Sequence, residues 1–160
     1  MTGVQTCALP IFRVSAQPIL VVEDDPFTRL IEIVLDPRPN AERWDAFVSF
    51  MAHDEPDFAG WVNRLRARAA GLYPSQVRLV GSQDELRANI VDADIVVVES
   101  LEVGAEELAR APGLKLVQKF GTRVRNIDAA ALAEKGIRLR TLRRRANISC
   151  AEHVFALMLM

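Results

Sequence analysis

Cysteine is almost missing from this chain. Cys7 and Cys150 are the two in 160 residues, too few for a disulfide framework, so a reducing, cytoplasmic compartment is expected. Long apolar runs are missing too, and nothing approaches the roughly 20 residues of a membrane span. Neither repeats nor low-complexity tracts occur. No charge of one sign is in excess: 20 basic residues meet 21 acidic ones for a net charge of −1, so neither a polyanion nor a membrane surface is implied as a partner. Aromatic residues are 6% of the chain and are not interleaved with basic ones as on a base-stacking surface, so nucleic acid is not expected. The eight glycines never take the spacing G-x-G-x-x-G, the usual backbone cradle for a pyrophosphate. What is present is a half-apolar composition, 50%, that fits one soluble globular domain with a sizeable core.

The first residues stand apart from the rest. MTGVQTCALPI back-translates, with a GTG start, into DNA resembling a short-read sequencing adapter. It has no basic region, and the apolar run Ala8–Phe12 is too short for a signal peptide. Residues 1–12 are therefore expected to be an artefact. The chain stops inside the apolar run HVFALMLM, with no C-cap glycine and no basic last turn. Both ends read as an open reading frame cut from an assembled contig.

Short β-rich runs alternate with helical patterns, the signature of a parallel sheet with crossover helices. The predicted strands are Ile19–Val22, Val77–Val80, Asp94–Val98, Leu114–Gln118 and Ile137–Thr141. Helices are predicted at Gln83–Val91, Ala105–Ala111 and Ile127–Lys135, the last ended by Gly136 in the left-handed C′ position. Three more amphipathic patterns fill 26–72: Phe27, Leu30, Ile31, Val34; then Trp44, Phe47, Val48, Met51; then Phe58, Trp61, Val62, Leu65. Their i, i+3, i+4, i+7 spacing is helical, and Pro37, Pro39 and Pro56 separate them. Two tryptophans on consecutive helices are expected to pack in a core; a lid or dimer contact is the sharper alternative.

The stretch Leu114–Asp128, LKLVQKFGTRVRNID, carries the most chemistry. An apolar strand runs into a glycine turn and then a helix, and at the carboxyl end of a parallel strand unpaired backbone N–H groups converge on anionic ligands. A second segment, ILVVEDDPFTR at Ile19–Arg29, resembles the opening of a response-regulator receiver domain. There, Asp24 and Asp25 would hold magnesium. That fold also needs a carboxylate at the end of its central strand, whereas Met51–Asp57 reads as helix and loop and ADIVVVES ends in Glu99 without the expected turn. The receiver, or another flavodoxin-like regulatory domain, is the alternative reading. No metal site is expected.

From Ala93 to Met160 the order of features resembles the D-isomer-specific 2-hydroxyacid dehydrogenases: strand ADIVVVES, a helix, strand LKLVQKFG, turn GTRVRNID, helix AAALAEKG, strand IRLRTL, then ANISCAEHVFALML. The family's turn is roughly Gly-Thr-Gly-Val-Asp-Asn-Ile-Asp, and its last helix roughly Asn-x-x-Val-Ala-Glu-His. The resemblance implies a flavodoxin-like α/β fold, a parallel sheet of order 2-1-3-4-5 flanked by helices, truncated before the Rossmann dinucleotide-binding domain. Residues 13–146 would be the substrate domain and 147–160 the start of an inter-domain helix. The implied activity is hydride transfer between NAD or NADP and a D-2-hydroxy or 2-oxo acid, in an enzyme that is a homodimer when intact. The helices between residues 41 and 71 have no counterpart in the resemblance.

Carried over by position, Gly121, Thr122, Arg123 and Val124 would hold the substrate carboxylate on backbone N–H groups, and Thr122, Asn147 and Cys150 would border the nicotinamide. Cys150 also reads as a small buried residue. Arg123 replaces the family's second glycine, so a positive φ there would cost about 1–2 kcal/mol. Arg125 replaces the common aspartate, favouring an acid with additional negative or polar character. Arg143, Arg144 and Arg145 form a basic patch with Lys135, Arg138 and Arg140, read as a solvated loop or as a site for phosphates or an acidic partner. Ser149 and Glu152 fit a capping box, so the last helix is expected to begin there. Its apolar residues Val154, Phe155, Leu157, Met158 and Leu159 are expected to be buried. His153 follows a capping glutamate and His53 lies in a polar loop, so no catalytic residue is assigned: the family's arginine, glutamate and histidine come later in the chain. The piece as it stands is expected to be inactive alone.

Overall fold

The computed structural model describes residues 17–69, 71–143 and 146–159, without the side chains of residues 146, 147 and 149. The adapter-like leader, Arg144, Arg145 and the side chains of Asn147 and Ser149 lie outside the described residues. Five parallel strands form one sheet in the order β2-β1-β3-β4-β5, the order expected. They are β1 (Ile19–Glu23), β2 (Gln76–Val80), β3 (Ile95–Val98), β4 (Leu116–Lys119) and β5 (Arg138–Thr141). Each lies within two residues of its predicted bounds.

Among the described residues six α-helices connect them, α1 (Arg29–Leu35), α2 (Ala41–Met51), α3 (Phe58–Arg68), α4 (Gln83–Asn89), α5 (Ala105–Arg110) and α6 (Ala129–Glu134), and α7 (Ala146–Met158) follows β5. The chain reverses direction across the sheet after β2, and right-handed crossovers then place later helices on the opposite face. Period-two alternation divides the strand residues between the two layers. Val21, Val96, Val98 and Val117 pack with Leu86 of α4, Leu108 of α5 and Leu132 of α6. Leu20, Val22 and Val97 face Val34 and Leu35 of α1.

The helices of residues 41–71 form an outer layer on α1. Ile33, Phe58 and Val62 make a small separate core against Trp44, Phe47, Met51 and Trp61. Phe58 sits at its centre, edge-on to Trp44 at 5.4 Å between ring centroids and stacked on Trp61 at 5.5 Å. Both tryptophans are thus packing residues. The guanidinium of Arg66 on α3 donates to the carbonyls of Val34 (2.9 Å), Ile33 and Asp36 (3.2 Å each), satisfying the orphan acceptors at the end of α1.

The glycine after α6 behaves as its sequence position requires. Gly136 has φ of 68°, its N–H donates to Ala133 O and that of Ile137 to Leu132 O, the two bonds of a Schellman ending. No heavy atom lies within 4 Å of where its Cβ would be, so substitution is opposed by backbone conformation alone. Gly136→Ala is expected to lower stability by about 1 kcal/mol, read as a shifted urea midpoint at unchanged slope; an unshifted midpoint would contradict it.

Two expectations for α7 are corrected. The helix begins at Ala146, so Ser149 lies within it and does not cap it. The residues expected to be buried are exposed in this chain, from 55% for Val154 to 86% for Leu159, because no other element of the described residues covers that helix.

Candidate functional site

The carboxyl ends of β1, β3 and β4 meet at one edge of the sheet, where the strand order reverses between β1 and β3. Open parallel sheets bind ligands outside this edge. Glu23 closes β1 and keeps the phase of Val21, which turns it into the layer under α4–α6; it is 8% exposed. Its carboxylate accepts from the amides of Glu99 (2.6 Å), Ser100 (2.8 and 3.0 Å) and Leu101 (3.0 Å), and from the Ser100 hydroxyl (2.5 Å). Burial pushes the Glu23 carboxyl upward, but the Ser100 hydroxyl and the three amides outweigh it and hold it below the usual range.

The same turn is held from the other side by the end of β4 and the loop that leads to α6. The Lys119 ammonium, on a side chain in phase with Val117, donates to Glu99 O. Asn126 Nδ2 donates to Leu101 O at 2.6 Å and to Glu99 O at 3.4 Å. A parallel bridge joins Val103 and Ile127: Val103 N donates to Asn126 O at 2.9 Å and Asp128 N to Val103 O at 3.0 Å. Asp128 then caps α6 by accepting from Ala131 N at 2.9 Å. The two crossover loops are thereby zipped together.

Between these anchors runs Gly121–Val124. Gly121 has φ of 141°, a region open to glycine. Its N–H donates to Lys119 O at 3.0 Å and its carbonyl accepts from Leu142 N at 3.1 Å. The Gly121 amide is therefore spent within the strand-end turn, which corrects the expectation that all four amides clasp an acid. The amides of Thr122, Arg123 and Val124 make no hydrogen bond among the described residues. No described residue other than glycine has a positive φ, so the strain foreseen at Arg123 does not arise; the turn bends at Gly121 instead.

Thr122 and Arg123 are exposed and Val124 is half-buried. Beyond Val124 lies a polar cleft of about 260 Å³ lined by Glu102, Gly104, Arg125 and Asp128. On the other side an apolar trough of about 470 Å³ begins at Phe120 and Leu142 and runs along the sheet under Leu30 and Val34. Thr122 lines neither. Cys150 is exposed on α7, which removes its buried reading, and His53 and His153 are exposed and far from this edge in sequence. Lys135, Arg138, Arg140 and Arg143 are exposed without a carboxylate partner among the described residues.

The acidic pair after β1 does not form a magnesium site. Arg29 grips Asp24 in a two-point contact of 2.6 and 3.3 Å. Asp25 accepts from Phe27 N at 2.9 Å, while its own N–H donates to Thr28 Oγ1 at 3.1 Å. Nothing supports the receiver alternative. The same turn tests for a pyrophosphate: it offers two carboxylates, no glycine and amides already bonded, so the residues of this turn do not fit a dinucleotide's phosphates.

Glu23, Ser100, Lys119 and Asn126 were not singled out by the sequence reading. A signal existed in strand phase, because Glu23 alternates with Val21 and Lys119 with Val117, both core residues.

A five-stranded parallel sheet of this order, with helices on both faces, defines a flavodoxin-like α/β domain. The chain belongs to the D-isomer specific 2-hydroxyacid dehydrogenase family: its catalytic-domain profile matches residues 64–156. It is 35% identical over 100 residues to D-3-phosphoglycerate dehydrogenase of Mycobacterium tuberculosis H37Rv, a match covering 55% of this chain and 19% of that protein. It is 38% identical over 79 residues to the enzyme of that name from Methanocaldococcus jannaschii, covering 49% and 15%. The chain thus matches under a fifth of these relatives' length. Phosphoglycerate oxidoreductase from Vibrio cholerae o395 shares the fold, with a TM-score of 0.50 at 15% identity over 90% of this chain and 36% of that one. No helix among the described residues is long and apolar enough to cross a membrane.

Proposed function

We propose that this chain is the substrate-binding part of an NAD- or NADP-dependent D-2-hydroxyacid dehydrogenase, and that the turn Gly121–Val124 cradles the carboxylate of a small 2-hydroxy or 2-oxo acid. The observation that carries this reading is the set of three unbonded amides, at Thr122, Arg123 and Val124, on a loop fixed at both ends. An anion replaces the missing acceptors at the place where a parallel sheet leaves donors exposed. Gly121 shapes the turn, and the Thr122, Arg123 and Val124 amides bind and orient the acid. Arg125, on the neighbouring cleft, extends positive charge toward the remainder of the substrate.

When bound, the nicotinamide exchanges hydride with the carbon next to the carboxylate. The turn after β1 does not seat its phosphates, and Thr122, Asn147 and Cys150 would border its nicotinamide end. The role of Gly121–Val124 in this reading is to bind and orient the acid, not to move a proton. Residues 13–146 form the substrate domain and 147–160 open the helix toward the nucleotide domain, in a cytoplasmic enzyme that is a homodimer when intact.

The reading is tested with the ¹⁵N-labelled chain titrated with pyruvate and, separately, with D-3-phosphoglycerate. Saturable shifts centred on the amides of Thr122, Arg123 and Val124 are expected. Shifts spread over the surface, or none at those three positions, would remove the assignment.

A further inference from the structure

Three consecutive amides that converge on one point make an anion nest, and at the reversal point of a parallel sheet that nest is the ordinary ligand seat. In this protein the nest after β3, formed by Glu99, Ser100 and Leu101, is already filled by the carboxylate of Glu23. The carbonyls of that turn face the opposite way, toward the next loop. Glu99 O receives Lys119 Nζ and Asn126 Nδ2, and Leu101 O receives Asn126 Nδ2. Lys119 and Asn126 stand two residues outside each end of Gly121–Val124.

We propose that Glu23 is a positioning residue: by filling the nest after β3 it fixes the turn whose carbonyls hold Lys119 and Asn126, and through them the conformation in which Thr122, Arg123 and Val124 present their amides. The proposal rests on the reading of that turn as the acid cradle. It also accounts for where the acid goes. A second carboxylate cannot share the Glu23 nest without like-charge repulsion, so an incoming acid is directed one loop along, to donors that have no internal partner.

Glu23 touches no substrate in this arrangement and acts only through the peptide groups of residues 99–101. Removing its charge leaves those three amides and the Ser100 hydroxyl without an acceptor, and the turn is then free to rotate its carbonyls away from Lys119 and Asn126. Order is lost first at the loop and not in the strands, whose ladders are made by the backbone and do not use the Glu23 side chain.

The test uses the ¹⁵N-labelled chain, its Glu23→Ala variant and, as a second route that leaves the nest intact, Asn126→Ala. Backbone order parameters at 122–124 are expected to fall from about 0.85 to below about 0.6 in both variants, with the values in β1, β3 and β4 unchanged. Pyruvate affinity is expected to drop about tenfold or more. In Glu23→Ala, added acetate restores the order of 122–124 and acetamide of the same shape does not, while acetate leaves the wild-type loop order unchanged. A role confined to stability would move none of these readings at equal folded population. Variants that fold and keep wild-type loop order overturn the proposal; should Glu23→Ala fail to fold, Asn126→Ala decides alone. If pyruvate leaves 122–124 of the wild-type chain unshifted, the cradle fails, and the order parameters still decide whether Glu23 positions the loop.

Discussion

Phe58→Ala is expected to cost about 3–5 kcal/mol, the largest single loss available outside the main sheet. Phe58 is 3% exposed and touches three other rings, those of Trp44, Phe47 and Trp61. α2 has no buried residue of its own, so its attachment depends on half-buried side chains gathered round this one ring. Truncation removes the ring against which both tryptophans pack and leaves a cavity between them. Tryptophan emission should shift to the red, and the urea midpoint measured by it should fall with the loss. A cost under about 1 kcal/mol would show that α2 and α3 are held by something other than this cluster.

Acid is expected to unfold the protein over a window set by buried carboxylates. Burial raises the Glu107 carboxyl, but the Gly104 amide, Arg87 and Gln83 more than compensate and hold it low. Burial likewise acts on Asp94 and is outweighed by Lys115 and the Ile19 amide; Glu23 follows the same pattern. Each of these groups is lower in the folded than in the unfolded chain. Their stabilisation is therefore complete above the unfolded carboxylate range, near pH 4, and is lost as pH falls through the folded values. The urea midpoint should be flat from about pH 7 to 5 and fall steeply below about pH 4.5, and Glu107→Gln should lower the plateau while flattening the fall. A wild-type profile level down to about pH 3 would contradict the inverse ordering of these groups.

The sheet was legible because its signals are redundant. Ile95–Val98 is apolar without alternation, as a strand covered on both faces must be, and alternation with helical patterns pointed to a parallel sheet, while its strand order followed from the family resemblance. The family was accessible from residues 93–160, where the order of strands, turn and helices follows its pattern. The details of the site were not. Whether the Gly121 amide points inward depends on one dihedral angle, which residue types do not determine. The capping-box match at Ser149 failed because a four-residue pattern does not by itself fix a helix start, and the helix already runs from Ala146. Glu23 was overlooked because the neighbouring acidic pair suggested metal chemistry, and Lys119 because lysine is seldom buried. In each, strand phase outweighed the usual habit of the residue type.

The open side of β5 has a consequence for how these molecules meet one another. β5 is the last strand of the sheet, and its backbone would accept a further strand from a neighbouring molecule. Arg138 and Arg140 stand exposed on it, two like charges that an identical approaching edge would have to match with its own. Crowded copies are kept apart along that border, and stacking into fibrous ribbons is discouraged by charge.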